Sequence, residues 1–266
     1  MQLIDTHNHL DFPAFDHDRD AELQHARALG IVRQVLLGVT VEQWPTLWQL
    51  CQREPDLFAA FGLHPVYLNQ HPSDAIEQLA AQLTLTGSHA KCCAVGEIGL
   101  DYYLPELDRN AQKTLFAAQL ALAQEHQLPV LLHVRRAHAD TIAMLKRMPI
   151  ARGGIVHAFA GSLEEAREYQ KLGFLLGIGG AATWPQAQRL RRTIAALPAE
   201  QLVLETDAPD MAPVFLAQQR NNPSALAQIA QQLAELREQP TEQFAAQCSA
   251  NACRLFGWSP SHCNTP

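Results

Sequence analysis

Apolar and polar positions along this chain follow two rhythms, and the switching between them predicts its architecture. Short runs rich in Val, Ile, Leu and Phe recur at Gln34–Thr40, Leu57–His64, Cys92–Ile98, Pro129–Val134, Gly154–Phe159, Phe174–Ile178 and Leu202–Asp207, each the length of a buried strand. An eighth run stands at the start, Leu3–Asp11, where Ile4 and Thr6 favour extended backbone. The intervening segments have helical spacing. Ile76, Leu79, Ala80 and Leu83 follow the i, i+3, i+4, i+7 rule, with Ser73 as the expected cap. Ser162-Leu163-Glu164-Glu165 spells a capping box whose helix ends before Gly173. Further helices are expected over Ala21–Leu29 with Gly30 as stop, over Val41–Glu54 and Gln112–His126, from Pro185, after Pro223 and after Thr241.

Eight apolar strands alternating with helices imply an all-parallel sheet, and eight is the number that closes a TIM-like (β/α)8 barrel, so the expected fold class is α/β. The length of 266 residues suits one such domain spanning 1–266, with Gly257–Pro266 expected as an irregular tail. An open doubly wound sheet is the competing arrangement, but no G-x-G-x-x-G follows an early strand and no P-loop is present.

Composition and charge narrow the partners. A formal net charge of -7 argues against an extended basic groove, so a nucleic acid would have to be gripped locally. No apolar run approaches the ~20 residues of a membrane span. The first strand begins almost at Met1, which leaves no room for a cleavable leader, and the expected location is cytoplasmic. No obligate protein partner is indicated. Cys51, Cys92, Cys93, Cys248, Cys253 and Cys263 form no C-x-x-C pair and read as reduced thiols, with Cys263 the most open to oxidation.

In a barrel the active site lies at the C-terminal ends of the strands, so polar residues closing apolar runs carry the chemistry. His7 and His9 are two apart on the first strand and point the same way. The third run ends in His64, the fourth in Glu97, the fifth in His133, the sixth in His157 and the eighth in Asp207. Singly, each has an ordinary reading as a turn cap, a satisfied core histidine or an ion-paired carboxylate. Together they would bury several imidazoles and two carboxylates, which is costly unless a cation compensates them. A pair of divalent metals does so, and this donor set suits zinc, manganese or iron better than magnesium. Glu97, on a middle strand, is placed to bridge, and Asp207 to bind one ion and take a proton from the attacking water. Glu205 lies one layer deeper than Asp207 and is a candidate to orient a ligand, with a buried ion pair as the alternative. Arg135 and Arg136 leave the fifth strand beside His133, where a guanidinium can take a phosphate oxygen. Gly177, Gly179 and Gly180 leave the mouth unobstructed or form a tight turn, and Asp101 reads as a loop-fixing acceptor.

These residues sit in motifs that resemble the TatD family of metal-dependent hydrolases, most closely its YjjV-like branch. The matching stretches are Ile4-Asp5-Thr6-His7-Asn8-His9, Gly62-Leu63-His64-Pro65, Val95-Gly96-Glu97-Ile98-Gly99-Leu100-Asp101, Leu128-Pro129-Val130 through His133, His157 through Ser162, Gly177-Ile178-Gly179-Gly180, Leu204-Glu205-Thr206-Asp207-Ala208-Pro209 and Arg220-Asn221-Asn222-Pro223. The resemblance implies a barrel of the metallo-dependent hydrolase type, two divalent ions (Zn, Mn, Fe or Mg) on His7, His9, Glu97, His133, His157 and Asp207, and deoxyribonuclease activity on DNA or another phosphodiester. It places His64 near the metals or the substrate. Asn8 stands where Cys or Ser is common, and Ala158 and Ala160 depart from the usual H-G-F-S-G; Asn8 and Ala158 are expected to point away from the ligands. Two other classes stay open: an amidohydrolase-like enzyme opening a small amide, lactone or ester, and a non-catalytic metal-binding scaffold on the same fold.

Overall fold

Eight parallel strands pair in chain order: β1 (Leu3–Asn8), β2 (Ile31–Leu37), β3 (Leu57–Phe61), β4 (Cys92–Asp101), β5 (Val130–Arg135), β6 (Gly154–Val156), β7 (Phe174–Ile178) and β8 (Leu202–Leu204). Helices α1 (Arg19–Ala28), α2 (Trp44–Arg53), α3 (Ala75–Thr86), α4 (Arg109–Glu125), α5 (His138–Arg147), α6 (Leu163–Lys171) and α7 (Gln188–Ala196) cross between successive strands, and α8 (Leu226–Leu236) and α9 (Thr241–Phe256) follow β8. This computed structural model describes residues 1–259. The arrangement is the expected (β/α)8 barrel. Among the described residues no helix is long and apolar enough to cross a membrane.

Ladder pairing runs from β1 to β8, and the remaining seam between β8 and β1 is stitched by a buried carboxylate. Asp5 accepts from the Thr206 amide (3.0 Å) and hydroxyl (2.6 Å), from the His7 amide (3.2 Å) and from Asn8 Nδ2 (3.0 Å). Thr6 Oγ1 donates back to the Leu204 carbonyl at 3.1 Å, and two amides, Asp207 to His7 O (2.8 Å) and His9 to Ala208 O (2.7 Å), complete the ring at its mouth. A carboxylate so deep is tolerable because several donors surround it.

Period-two alternation sorts each strand into two cores. Ile4, Val35, Phe58, Leu131, Ile155, Leu175 and Val203 fill the barrel, and Ala252 and Phe256 of α9 plug its lower end. The alternate residues, among them Leu36, Phe61, Leu132, Leu176 and Leu204, pack outward against the helices.

Several boundaries differ from the sequence reading. β2, β3, β6 and β8 end three residues earlier than their apolar runs, because the backbone leaves the ladder at the mouth; Ala158 and Asp207, just past β6 and β8, have φ of 44° and 58°. β4 instead continues to Asp101, paired with Arg135. Ser73 does not cap α3: Asp74 precedes that helix and makes no side-chain cap bond. Pro185 lies in a turn, and α7 starts at Gln188. The expected tail is partly anchored, since Gly257 ends α9 at φ 71° and the Trp258 ring packs at a tilt against Phe58 (4.4 Å) and Phe256 (4.5 Å). Residues 260–266, with the reading of Cys263, lie outside the described residues. Cys51, Cys92, Cys93 and Cys248 are buried, and burial raises each thiol's pKa, so they stay protonated and inert.

Candidate metal centre

The alternation that fills the barrel continues upward into polar residues. Two positions beyond Leu131 stands His133, and two beyond Ile155 stands His157, while Val203 is followed at the same spacing by Glu205 and Asp207. His7 and Glu97 arrive differently: the β1–β2 register shifts between Asp5 and Asn8, and the β4–β5 register between Val95 and Ile98. Each irregularity re-aims one side chain of an otherwise regular strand into the centre.

Glu97 sits at the hub. Its Oε2 lies 3.2 Å from His7 Nε2 and 3.5 Å from His9 Nε2, while Oε1 lies 3.1 Å from His133 Nδ1 and 3.2 Å from His64 Nε2. Asp207 Oδ1 faces the Nε2 atoms of His7, His157 and His9 at 3.5, 3.6 and 3.7 Å.

The outer hydrogen bonds of the imidazoles fix their tautomers. A carbonyl or carboxylate only accepts, so His9 Nδ1 donates to Leu37 O (3.1 Å) and His133 Nε2 to Asp101 Oδ2 (2.9 Å). His157 Nδ1 lies 2.9 Å from Glu205 Oε1 in an ion-pair contact off the hydrogen-bonding line. In the neutral ring the opposite nitrogen of His9 and of His133 then presents its lone pair to the centre. His64 is the reverse. Its Nδ1 accepts from the Val66 amide at 3.1 Å, so Nε2 carries the proton and donates to Glu97. His64 is therefore arranged to hold Glu97 rather than to ligate.

The donor set fits a divalent cation. Ligands about one zinc at ~2.0–2.2 Å stand about 3.0–3.6 Å apart, close to the observed spacings. His7, His9 and Asp207 bring ligand atoms within 4.8 Å of one another, as do His7, His157 and Glu205, and His64, Glu97 and His133. Buried Glu205 Oε2 has no hydrogen-bond partner among the described residues. Protons alone satisfy the cluster poorly, as opposed shifts show. Burial and neighbouring His157 push His7 well below its usual pKa. Burial also opposes charge on His9 and His157, yet Glu97 and Asp207 raise the first to about 9, and Glu205 and Asp207 raise the second to about 10. Burial lowers His64 to about 4 and raises Asp207 to about 6. Glu97 is buried too, but His64, His7 and His133 hold it well below the usual carboxylate range.

This cluster floors a cleft of about 700 Å³ that Arg135 and Arg136 also line, the size of pockets that take one small ligand. Both guanidiniums lie over the ring of Tyr103, at 3.7 and 4.8 Å from its centroid. Asn8 points away, donating to Asp5 and Gln34. Ala158 has a left-handed backbone and donates its amide to Glu205 Oε1 at 2.6 Å, which explains why glycine is the easier residue there. Ala160 lines the cleft. Gly177 serves neither expected purpose: a Cβ there would stand 2.0 Å from Glu205 Oε2, so it makes room for that carboxylate. Asp101 does more than fix its loop, accepting from the Tyr103 amide with one oxygen and from His133 with the other. Sequence reasoning also passed over Asp5, Phe12, Tyr67 and Arg189. Of these only Asp5 carried a signal, as a charge inside the first apolar run.

Comparison with known proteins places this geometry in context. The model of the TatD related DNase family matches residues 4–257. An uncharacterized metal-dependent hydrolase of Escherichia coli, YjjV, is 41% identical over 256 residues, covering 96% of this chain and 98% of its own. A protein of Cronobacter sakazakii named 3'-5' ssDNA/RNA exonuclease TatD is 35% identical over 254 residues, covering 91% of this chain and 93% of its own. The crystal structure of E. coli YjjV superposes with a TM-score of 0.92 at 39% identity, covering 97% and 98% of the two chains. An organophosphorus hydrolase of Deinococcus radiodurans shares the fold, with a TM-score of 0.69 at 16% identity over 96% of this chain and 92% of its own.

Proposed function

Because the chain belongs to the TatD related DNase family, we propose that its metal centre hydrolyses phosphodiester bonds and that the enzyme is a deoxyribonuclease trimming single strands or frayed ends. The observation that carries this reading is Glu97, whose two oxygens face different histidines at the floor of a cleft edged by arginines. The relatives named as ssDNA/RNA exonucleases add support.

On this reading His7, His9 and Asp207 would hold one divalent ion and His133 and His157 a second, with Glu97 shared between them. Bound there, such ions supply Lewis acidity, activating water and neutralising charge on the phosphoryl group. The protein does the rest. Asp207, whose side chain is 14% exposed against 4% for Glu97, is the carboxylate that water reaches, and it accepts the proton at Oδ1 or Oδ2. His64 steadies Glu97 through Nε2–H and borders the substrate. Arg135 and Arg136 hold phosphate oxygens in line, and Glu205 and Asp101 fix the rings of His157 and His133.

The test combines metal analysis with parallel hydrolysis of single-stranded DNA, a nucleotide diester and a set of lactones. We expect about two divalent ions per chain and turnover on the diesters, both lost in Glu97→Ala, with activity down by more than ~100-fold and the circular dichroism of the barrel retained. Parent-like metal content and turnover in Glu97→Ala would remove the bridging role. Robust lactone hydrolysis with no action on diesters would move the site to carbonyl chemistry.

A further inference from the structure

The walls of the cleft are unlike each other. Because the strands run in ring order, the loops after β5, β6 and β7 form one continuous arc of the mouth, and those after β8, β1 and β3 form the facing arc. Three arginines line the first arc, Arg135 at the end of β5, Arg136 next to it and Arg189 at the start of α7, with Glu165 of α6 as the carboxylate among them. None forms an ion pair among the described residues, whereas Arg27, Arg53, Lys146 and Arg220 do. The facing arc carries Phe12, stacked on His9 at 4.6 Å, and Tyr67, edge-on to His64 at 5.9 Å. The exposed Asp210, in the loop after β8, lines the same arc.

We propose that the cleft is a one-sided track for a single nucleic-acid strand: Phe12 and Tyr67 receive the terminal nucleotide's base, Asp210 repels any continuation past it, and Arg189 with Arg135 and Arg136 holds the phosphates leading away. The inference rests on the phosphodiesterase reading and specifies its substrate as a strand end followed by at least one further phosphate on the arginine side. The chemistry is that of sequence-tolerant single-strand binding, in which aromatic faces stack bases and guanidiniums take the backbone. Asymmetry is the new element. A groove built for an internal stretch of strand would be basic on both sides of the centre, whereas here all three arginines stand on one arc and the facing arc carries Asp210 with no arginine or lysine.

Arg189→Glu and Phe12→Ala separate the two walls. Steady-state hydrolysis of a dinucleotide and of a longer single strand is measured for the parent and both variants, alongside equilibrium binding of a fluorescent phosphorothioate strand over a salt series. Arg189→Glu is expected to raise KM for the longer strand about tenfold, with kcat held and a much smaller change on the dinucleotide, and to flatten the salt slope of binding by about 0.7 or more. Phe12→Ala should raise KM for both substrates by the same factor and leave the slope alone. An unchanged slope in Arg189→Glu, or equal KM changes on the two substrates, overturns the track while leaving the phosphodiesterase reading standing. Failure of the parent to hydrolyse either substrate overturns that reading, and the track with it.

Discussion

At the scale of single residues, the decisive information is which nitrogen of each imidazole is occupied from behind. Leu37 O and Asp101 Oδ2 turn His9 and His133 so that a lone pair faces Glu97, whereas the Val66 amide turns His64 so that a proton does. These partners predict different consequences for neighbours in the same cluster. Asp101→Asn weakens the hydrogen bond that orients His133, so divalent-metal affinity should fall by ~10–100-fold while the fold is kept. Competition against a chelating dye measures it, and an affinity equal to the parent's would reduce Asp101 to a loop residue. His64→Ala should do the opposite, keeping the parent's metal stoichiometry while losing turnover. Loss of one equivalent of metal from that variant would place His64 among the ligands.

At the scale of elements, the barrel depends on ties its strands do not supply. The loop beyond β8 is fastened to α1 by Arg220, which donates to Asp18 through both terminal nitrogens (2.9 and 2.6 Å), to Glu22 at 2.9 Å and to Ala14 O at 2.6 Å, and lies over the Phe15 ring at 4.3 Å. Arg220→Ala should cost about 1–2 kcal/mol, a charged hydrogen-bond network discounted for partial exposure. The pH dependence has a definite sign. Arg220 holds Asp18 below its ordinary 3.8, so the folded pKa lies under the unfolded one, and the contribution is present above about 3.8 and fades as pH falls further. The difference in Tm between parent and variant should therefore shrink on acidification; a gap that widens would show that the pair is not the source. Sequence periodicity showed all eight strands and nearly every helix, since apolar runs and capping patterns are local. It overran β2, β3, β6 and β8 at the mouth, where the residues that matter leave the ladder, and it read Gly177 as a gap because only the folded chain brings Glu205 beside it. The ring of polar strand ends was visible because barrel topology gathers such ends into one place. The supporting contacts of Asp5 and Asp101 join distant parts of the chain and were not.

At the scale of the whole molecule, charge and shape together decide how a nucleic acid can enter. A net charge of -7 gives no long-range attraction to a polyanion, so binding must come from the cleft itself. With its three arginines all on one arc, the affinity for single strands should depend on salt with a slope of no more than about -2, shallow beside proteins that contact many phosphates. A cleft of about 700 Å³ whose floor carries the reacting groups also requires the strand to be threaded down to them, which an end does easily and a closed loop does only by folding back on itself. The comparison that isolates this effect uses a linear single strand and a covalently closed circle of the same sequence, at the same metal concentration. The linear strand should be shortened progressively from one end and the circle left intact, with the circle also binding more weakly because Asp210 meets its continuing backbone. Equal rates on the two would mean that the strand crosses the mouth from wall to wall, and the acidic side of the cleft would then have no part in choosing the substrate.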